Sequence, residues 1–146
     1  QFYSQFSLLH ESANQKNIAL TNKIDEDVQV FADPYVITTV LRNLISNAIK
    51  FTPKGGKISV TTEKYENNIL VKVKDSGVGI PKENLDKLFK IDHQITTLGT
   101  SNEKGTGLGL ILCKELLDKS DQGISVSSEV GKGTEFTVTL PIPQDL

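Results

Sequence analysis

The 146-residue sequence is short of cysteine, arginine and long apolar runs, and it has no tryptophan or methionine. Its single cysteine excludes an intrachain disulfide and is typical of a reducing compartment, which predicts a cytoplasmic location. A formal net charge of −2 without a basic block argues against a nucleic-acid partner. No apolar run is long enough to span a bilayer. We therefore expect membrane attachment only through a longer parent protein, because the start Gln1-Phe2-Tyr3 lacks a methionine and resembles a cut inside one.

The hydrophobic content of 37% and charged content of 23% predict one globular domain with a substantial core. Helices and strands mix without strict βαβ alternation. This predicts an α/β fold, a two-layer sandwich with a mixed sheet and helices on one face. The expected order is a helix or linker to residue 16, a hairpin over 17–32, a helix over 33–52, strands over 57–65 and 68–74, a short helix over 81–89, a helix to about 120 and a last hairpin ending at 141.

Glycine alternates with other residues in Gly105-Thr106-Gly107-Leu108-Gly109-Leu110, and an apolar run follows. Glycines allow the backbone to approach a ligand closely, and a helix N-terminus offers free N–H groups to phosphate. The glycine and lysine positions of the Rossmann and Walker A motifs are not matched. We interpret the segment as a different phosphate-binding loop, although a flexible loop before a helix would give a similar pattern.

The helix that begins at Asp33-Pro34 carries a wide apolar face and a second, polar face. Asn43, Asn47 and Lys50 share the polar face at spacings i, i+4 and i+7, and Phe51 lies one turn beyond Asn47. An amide oxygen is a reasonable Mg²⁺ ligand when phosphates and waters complete the octahedron. A binding site and two solvent-facing asparagines are about equally compatible with this helix alone.

A third segment, Asp75-Ser76-Gly77-Val78-Gly79-Ile80, follows an alternating strand. A carboxylate at a strand end can accept a hydrogen bond from a ligand N–H while the glycine backbone passes a flat ring. Taken alone, the segment is better explained as a plain turn, because Asp-Ser-Gly is common turn chemistry.

In this order the three segments resemble the N, G1 and G2 boxes of the ATP-binding catalytic domain of sensor histidine kinases. Leu88-Phe89 is similar to the start of the F box, and the final stretch from Ile124 to Pro141 also fits. The resemblance runs from about Asn17 to Pro141. It implies the ATP-binding Bergerat fold, in which the mixed sheet is mostly antiparallel, with residues 17–146 as the catalytic domain and 1–16 as the end of a dimerisation hairpin or a linker.

The resemblance also implies ATP and Mg²⁺ as cofactors and a role for each matching residue. Asn47 would coordinate Mg²⁺, Asn43 would lie near the phosphates and Lys50 would contact phosphate. Asp75 would accept a hydrogen bond from the adenine amine, beside Phe51. The base pocket would be formed by Gly77, Gly79 and Ile80, and the phosphates would be held at the G2 box by Gly105, Thr106, Gly107, Leu108, Gly109 and Leu110.

The segment from Phe89 to Lys104 departs most from the family pattern. The family's F box often includes an arginine that reaches the phosphates, whereas Arg42, the only arginine here, belongs to the N-box helix. A lid cation must then be Lys90, Lys104 or His93, and lysine cannot form a bidentate fork. The small polar run Thr96–Ser101 predicts a mobile lid.

His10 superficially copies the family's phosphoacceptor box. We reject it as the acceptor, because a second hairpin helix must precede the ATP domain and about twenty residues separate His10 from Asp33. His93 is more consistent with a lid surface residue than with a catalyst. Cys113 falls on the apolar face of the helix after the G2 box and is predicted to be a core thiol.

The position four residues before the Mg²⁺ asparagine bears on mechanism. Related ATPases of the superfamily usually carry a water-activating glutamate there, whereas this chain has Asn43, and an amide is no general base near neutral pH. The resemblance therefore implies transfer of the γ-phosphoryl group to a histidine on a dimerisation domain outside this chain, and then to a response-regulator receiver domain. The alternatives are a GHKL-type ATPase and a non-enzymatic nucleotide-sensing module.

Overall fold

Four helices and five strands are assigned in the part of the chain that the computed structural model describes, which is residues 2–25, 29–30, 32–85, 88, 109–118 and 122–143. The helices are α1 (Phe2–Gln15), α2 (Pro34–Phe51), α3 (Lys82–Leu85) and α4 (Gly109–Asp118). The strands are β1 (Ala19–Lys23), β2 (Lys57–Tyr65), β3 (Asn68–Asp75), β4 (Gly123–Glu129) and β5 (Gly133–Pro141).

Helix α2 has the ends that its sequence predicts. The Asp33 side chain accepts a hydrogen bond from the Tyr35 N–H at 2.8 Å, which is the geometry of an N-cap. Pro34 occupies the first turn, where its missing N–H costs nothing. The helix ends at Phe51 because Thr52 is extended and precedes Pro53, which disfavours helical geometry at position 52.

The five strands form one sheet in the order β1-β2-β3-β5-β4. Strand β1 pairs with β2 in parallel, Leu20 opposite Ile58, and the other three pairings are antiparallel. The predicted hairpin over 17–32 is therefore wrong in its pairing. The partner of β1 is reached through α2, so β1, α2 and β2 form a crossover unit, and no strand is assigned at residues 24–25, 29–30 or 32.

One face of the sheet is apolar and covered, and the other is polar. The covered face carries alternate strand residues, among them Val60, Val73 and Val138, which pack with Leu44 and Ile45 of α2 and Leu117 of α4. The other face carries short hydroxyl side chains and the Lys72–Glu63 ion pair, 2.8 Å between Nζ and Oε2. This pattern suits an antiparallel sheet with one solvated face, and it confirms the predicted two-layer α/β sandwich.

The remaining predicted elements are confirmed where the structure describes them, except for the end of the predicted 81–89 helix. The strands β2 and β3 meet at the predicted turn, where Glu66 has a φ of 55°, and the β4–β5 hairpin ends at Pro141. Helix α3 covers the first half of the predicted 81–89 helix and ends at Leu85. Leu88 lies in a turn, and residues 86, 87 and 89 lie outside the described ranges. No helix within these ranges has the length and apolar character needed to cross a membrane.

Candidate functional site

The N-box residues lie along one side of α2 that faces α4 and the segment after β3. Asn43 and Asn47 are both half-buried, so each side chain is partly covered by the fold and partly exposed to solvent. The Asn43 Nδ2 donates to the carbonyl of Thr39 at 2.9 Å. A β-carbon placed on Gly109 would lie 3.2 Å from Asn43 Oδ1, so the first residue of α4 approaches α2 closely at this point.

Asn43 also contacts Cys113, one turn into α4. Burial raises the pKa of the Cys113 thiol to about 11, and a hydrogen bond with the Asn43 side chain acts in the opposite direction. A thiol with this pKa stays protonated at neutral pH and is a poor nucleophile. Cys113 is buried among apolar residues, which confirms it as a core thiol, and Asn43 fixes the N-terminal turn of α4 against α2.

Asn47 and Lys50 carry the polar side chains of α2 in the two turns that follow Asn43. Within the described ranges, no residue forms a hydrogen bond with the Asn47 side chain, although that side chain is half-buried. The Lys50 Nζ lies 4.9 Å from the centroid of the Phe51 ring, a cation–π distance. The carbonyl of Phe51 accepts a hydrogen bond from the Val78 N–H at 3.2 Å. The end of α2 is thereby joined to the segment that follows β3.

Asp75 is a buried carboxylate at the end of β3, with 7% of its surface exposed. Its Oδ1 accepts from the Gly77 N–H at 2.8 Å and from the Thr134 N–H at 3.2 Å. Burial raises the pKa of this carboxyl, and the two backbone hydrogen bonds lower it. The turn interpretation accounts for the Gly77 contact only. It does not explain the burial, the Thr134 contact or the second oxygen Oδ2, which has no hydrogen bond from the described residues.

Gly77 and Gly79 let the segment after Asp75 run directly against neighbouring backbone. A β-carbon on Gly77 would lie 2.5 Å from the Phe51 carbonyl oxygen. Gly79 has a φ of +78°, which L side chains rarely adopt, and a β-carbon there would lie 2.3 Å from the Glu129 carbonyl oxygen. The glycines therefore seat this loop between the end of α2 and the β4–β5 turn.

The β4–β5 hairpin holds the same loop from the other side through Ser128, which the sequence analysis did not single out. Ser128 Oγ accepts from the Ile80 N–H at 2.8 Å and donates to the Gly133 carbonyl at 2.9 Å. Because that donor is used, the 2.8 Å contact with Thr134 Oγ1 must be donated by Thr134. The Thr134 N–H bonds Asp75 in turn, so one hydrogen-bonded chain joins Ile80 to Asp75.

A sequence signal for Ser128 did exist. Ile124 and Val126 occupy the core-facing positions of β4, and Ser128 is the next residue of that alternating set. A hydroxyl at an inward strand position needs a polar partner, because burying it unpaired is unfavourable. The identity of that partner, the loop after β3, could not be read from the strand itself.

Together these contacts define a site with two ends. Asn43 and Gly109 lie at one end, and Phe51, Asp75 and Gly77 lie at the other. Asn43 and Phe51 are eight residues apart on one helix, so the ends are separated by about 12 Å. Asn47 and Lys50 lie between them on α2. The structure thus brings together the N-box residues, the G1-box residues and the last two residues of the G2 box, Gly109 and Leu110.

The other predicted site residues lie outside the described ranges. These are the lid residues Lys90, His93 and Lys104 and the first four positions of the G2 box, Gly105, Thr106, Gly107 and Leu108. Their assigned roles, and the lid over Thr96–Ser101, stay predictions.

Comparison with known proteins identifies the class. A family model described as histidine kinase-, DNA gyrase B- and HSP90-like ATPase matches residues 32–144. This match spans most of the chain and includes every part of the two-ended site. The chain therefore belongs to this ATPase family.

The more particular assignment comes from individual relatives. The sensor histidine kinase WalK of Bacillus subtilis is 38% identical over 128 residues, which cover 86% of this chain and 21% of WalK. The autoinducer 2 sensor kinase/phosphatase LuxQ of Vibrio parahaemolyticus is 37% identical over 130 residues, or 86% of this chain and 15% of LuxQ. The chain thus spans about a fifth or less of either sensor.

Solved structures of the histidine kinase ThkA agree with this assignment. Its catalytic domain superposes with a TM-score of 0.80 at 32% identity, covering 96% of this chain and 89% of that domain. A complex of ThkA with the response regulator protein TrrA matches with a TM-score of 0.74 at 28% identity, over 97% of this chain and 39% of the ThkA chain. Within its family, this chain is the catalytic ATPase domain of a sensor histidine kinase.

Proposed function

We propose that this domain binds Mg-ATP and donates the γ-phosphoryl group to a histidine on a dimerisation domain outside residues 1–146. The observation that carries the proposal is the state of Asp75. Its Oδ1 is occupied by two backbone N–H groups, and Oδ2 has no donor from the described residues. An acceptor of this kind, on a side chain that is 7% exposed, suits the exocyclic amine of adenine, with Gly77, Gly79 and Ile80 lining the base and Phe51 beside it.

The opposite end of the site fits a triphosphate and a hard cation. The free N–H groups at the start of α4 favour anions, and Gly109 and Leu110 contribute two of them. The Asn47 amide oxygen is of the ligand type that Mg²⁺ accepts beside phosphates and waters. Bound there, Mg²⁺ would neutralise phosphate charge. The separation of about 12 Å between the two ends suits a nucleoside triphosphate laid along α2.

The residues at the phosphate end favour transfer over hydrolysis. Asn43, at the position where related ATPases carry a water-activating glutamate, is bonded to Thr39 and packs against Gly109. An amide in this setting cannot remove a proton from water. Phosphoryl transfer depends on positioning and charge neutralisation, which Asn47, Lys50 and the α4 N-terminus can supply.

The partners of the domain are proposed by analogy with its relatives. ThkA has been solved in complex with a response regulator protein, and WalK is a sensor histidine kinase. By analogy we propose a dimerisation and phosphoacceptor domain in a cytoplasmic part of a longer parent, and a receiver domain as the final acceptor. His10 is exposed on α1 and is not proposed as the acceptor.

Calorimetric titration of the chain with ATP, with and without Mg²⁺, tests the site. We expect binding that Asp75→Ala abolishes, while Lys74→Ala, on the neighbouring exposed residue, leaves it unchanged. Asn47→Ala should remove the Mg²⁺ dependence of the affinity, and Ser46→Ala, on the exposed side of α2, should preserve it. Absence of ATP binding by the unsubstituted chain would contradict the proposal.

Two further readouts separate the rival functions. Steady release of phosphate by the isolated chain would favour a GHKL-type ATPase. Transfer of labelled phosphate to His10 would overturn our choice of acceptor. If a parent kinase autophosphorylates equally well with Asn47→Ala, the non-enzymatic nucleotide-sensing alternative takes precedence.

A further inference from the structure

The end of α1 has a fixed geometry that places Lys16 beside α2. The Ile18 N–H donates to the Ala13 carbonyl at 2.9 Å, and the Asn17 N–H donates to the Asn14 carbonyl at 3.0 Å, with Asn17 at a φ of 58°. This pair of bonds is a Schellman motif, and the buried side chains of Ala13 and Ile18 supply its apolar contact. Lys16 is consequently the C-cap residue of α1.

The Lys16 ammonium bonds the last turn of α2. Its Nζ donates to the Ile49 carbonyl at 3.0 Å and to the Lys50 carbonyl at 3.1 Å, and only 7% of the residue is exposed. Those two carbonyls have no intrahelical N–H partner, because they belong to the final turn. A cation at this position also interacts favourably with the negative end of the helix dipole.

The same helical turn supports the nucleotide site. Phe51, the next residue, accepts the Val78 N–H through its carbonyl and lies against Gly77. Gly77 bonds the Asp75 carboxylate. A continuous path of hydrogen bonds and close backbone contacts thus runs from the end of α1 through Lys16 and α2 to Asp75. The loop after α2 is tied to the same junction, since the Gly55 N–H donates to the Asn17 carbonyl at 3.0 Å.

We propose that Lys16 is a positioning residue for the nucleotide site. It holds the Lys50–Phe51 end of α2 in the place that the base-binding loop requires, so that a shift of α1 changes nucleotide affinity. Lys16 lies outside the residues 32–144 that match the family model. The identity of the ligand rests on the proposed function. The structural connection from Lys16 through the end of α2 to Asp75 does not depend on that identity.

The test compares Lys16→Met, which keeps the apolar stem and removes the donors, with Lys16→Arg, which keeps the charge and donors. Ile69→Val is the matched control, because it weakens the core at the opposite end of β3 from Asp75. Mg-ATP affinity is measured by calorimetry and global stability by urea unfolding. Hydrogen exchange of the Val78 amide in the nucleotide-free chain reports directly on its bond to Phe51.

We expect Lys16→Met to lower Mg-ATP affinity about tenfold, the scale of one lost hydrogen bond to a charged group. Exchange at Val78 should accelerate by more than the change in global stability explains. Lys16→Arg should retain affinity within about threefold, and Ile69→Val should change stability alone. If Lys16→Met does not fold, Lys16→Gln carries the test with a smaller expected loss.

Unchanged affinity together with Val78 exchange that follows global stability alone, as in Ile69→Val, would overturn the proposal and leave Lys16 a purely structural residue. A failure of the unsubstituted chain to bind ATP would instead count against the proposed function. In that case the Val78 exchange comparison still decides the role of Lys16.

Discussion

Asp75 has a structural role and, in our proposal, a recognition role as well, because its two oxygens have different surroundings. Oδ1 completes the turn to Gly77 and holds β5 through Thr134. Oδ2 receives no hydrogen bond from the described residues, and burial raises the pKa of the carboxyl. In our proposal, a ligand amine that donates to Oδ2 would offset part of the free-energy cost of burying the carboxylate charge.

Asp75→Asn separates the two roles. The amide oxygen can still accept both backbone N–H groups, whereas the amide nitrogen then faces the base and repels an adenine amine. We expect ATP affinity to fall by about tenfold or more, the scale of a lost charge-assisted hydrogen bond. Affinity for inosine triphosphate, which has a carbonyl at that ring position, should rise relative to ATP. An equal loss of affinity for ATP and for inosine triphosphate in calorimetry would argue against recognition of the adenine amine by Asp75.

The same variant shows how Asp75 affects stability as a function of pH. The folded state holds the Asp75 proton more tightly than the unfolded chain, because its pKa is raised above 3.8. The associated stabilisation is therefore complete below pH 3.8 and is lost as the pH rises through the folded pKa. Urea unfolding should show Asp75→Asn gaining stability relative to the original chain over that window. A difference independent of pH would contradict the raised pKa.

At the level of elements, local sequence predicted helices and antiparallel hairpins well and failed where the partner was distant. Caps at Asp33 and Thr52 mark α2, and a two-residue turn joins β2 to β3. Strand β1 shows where local sequence fails to predict strand pairing. Its alternation of Leu20 and Asn22 with exposed residues indicates a strand, but the pattern is the same whichever strand it pairs with. The parallel partner β2 is 38 residues further along the chain.

In the site, as in the sheet, residues with a local sequence pattern are predicted, whereas residues whose partners are distant in sequence are not. Asn43, Asn47 and Asp75 are predicted because their helical spacing, or their position at a strand end, is visible locally. Ser128 and Lys16 are missed because their contacts depend on carbonyl and N–H groups brought near by the fold. A backbone group has no residue-specific signature in the sequence, so no local pattern identifies it as a partner.

The Ser128 contacts predict a specific weakness of the β4–β5 hairpin. Ser128→Ala removes the acceptor of the Ile80 N–H and the donor to the Gly133 carbonyl. We expect a stability loss of about 1–3 kcal/mol, the cost of unsatisfied buried groups. ATP affinity should also fall, because Ile80 and Asp75 lose a common anchor. Ser127→Ala, on the exposed face of β4, is the control. It should change neither the stability measured by urea unfolding nor the ATP affinity measured by calorimetry.

On the scale of the whole molecule, α1 and β1 share the core of the domain, although the family match begins at residue 32. Leu9, Ile18 and Leu20 are buried with residues of α2 and the sheet in one cluster. Lys16 adds polar bonds to the same junction. The assignment of residues 1–16 to the end of a dimerisation hairpin or a linker stays a prediction, but Leu9, Ala13 and Lys16 of this segment pack against the rest of the domain.

Removal of residues 1–18 should therefore unfold much of the remaining chain. Burial of Leu9 and Ile18 alone is worth about 3–6 kcal/mol, against a total stability of about 5–15 kcal/mol for typical domains. The point variant Leu9→Ala should cost about 2–5 kcal/mol. Its control Leu8→Ala, at a residue that is 62% exposed, should stay within about 0.5 kcal/mol. Circular dichroism of the truncated chain and urea unfolding of the two point variants measure these effects. A truncated chain with native stability would show that α1 is an appendage whose contacts contribute nothing to folding, and coupling through Lys16 would then have no structural basis.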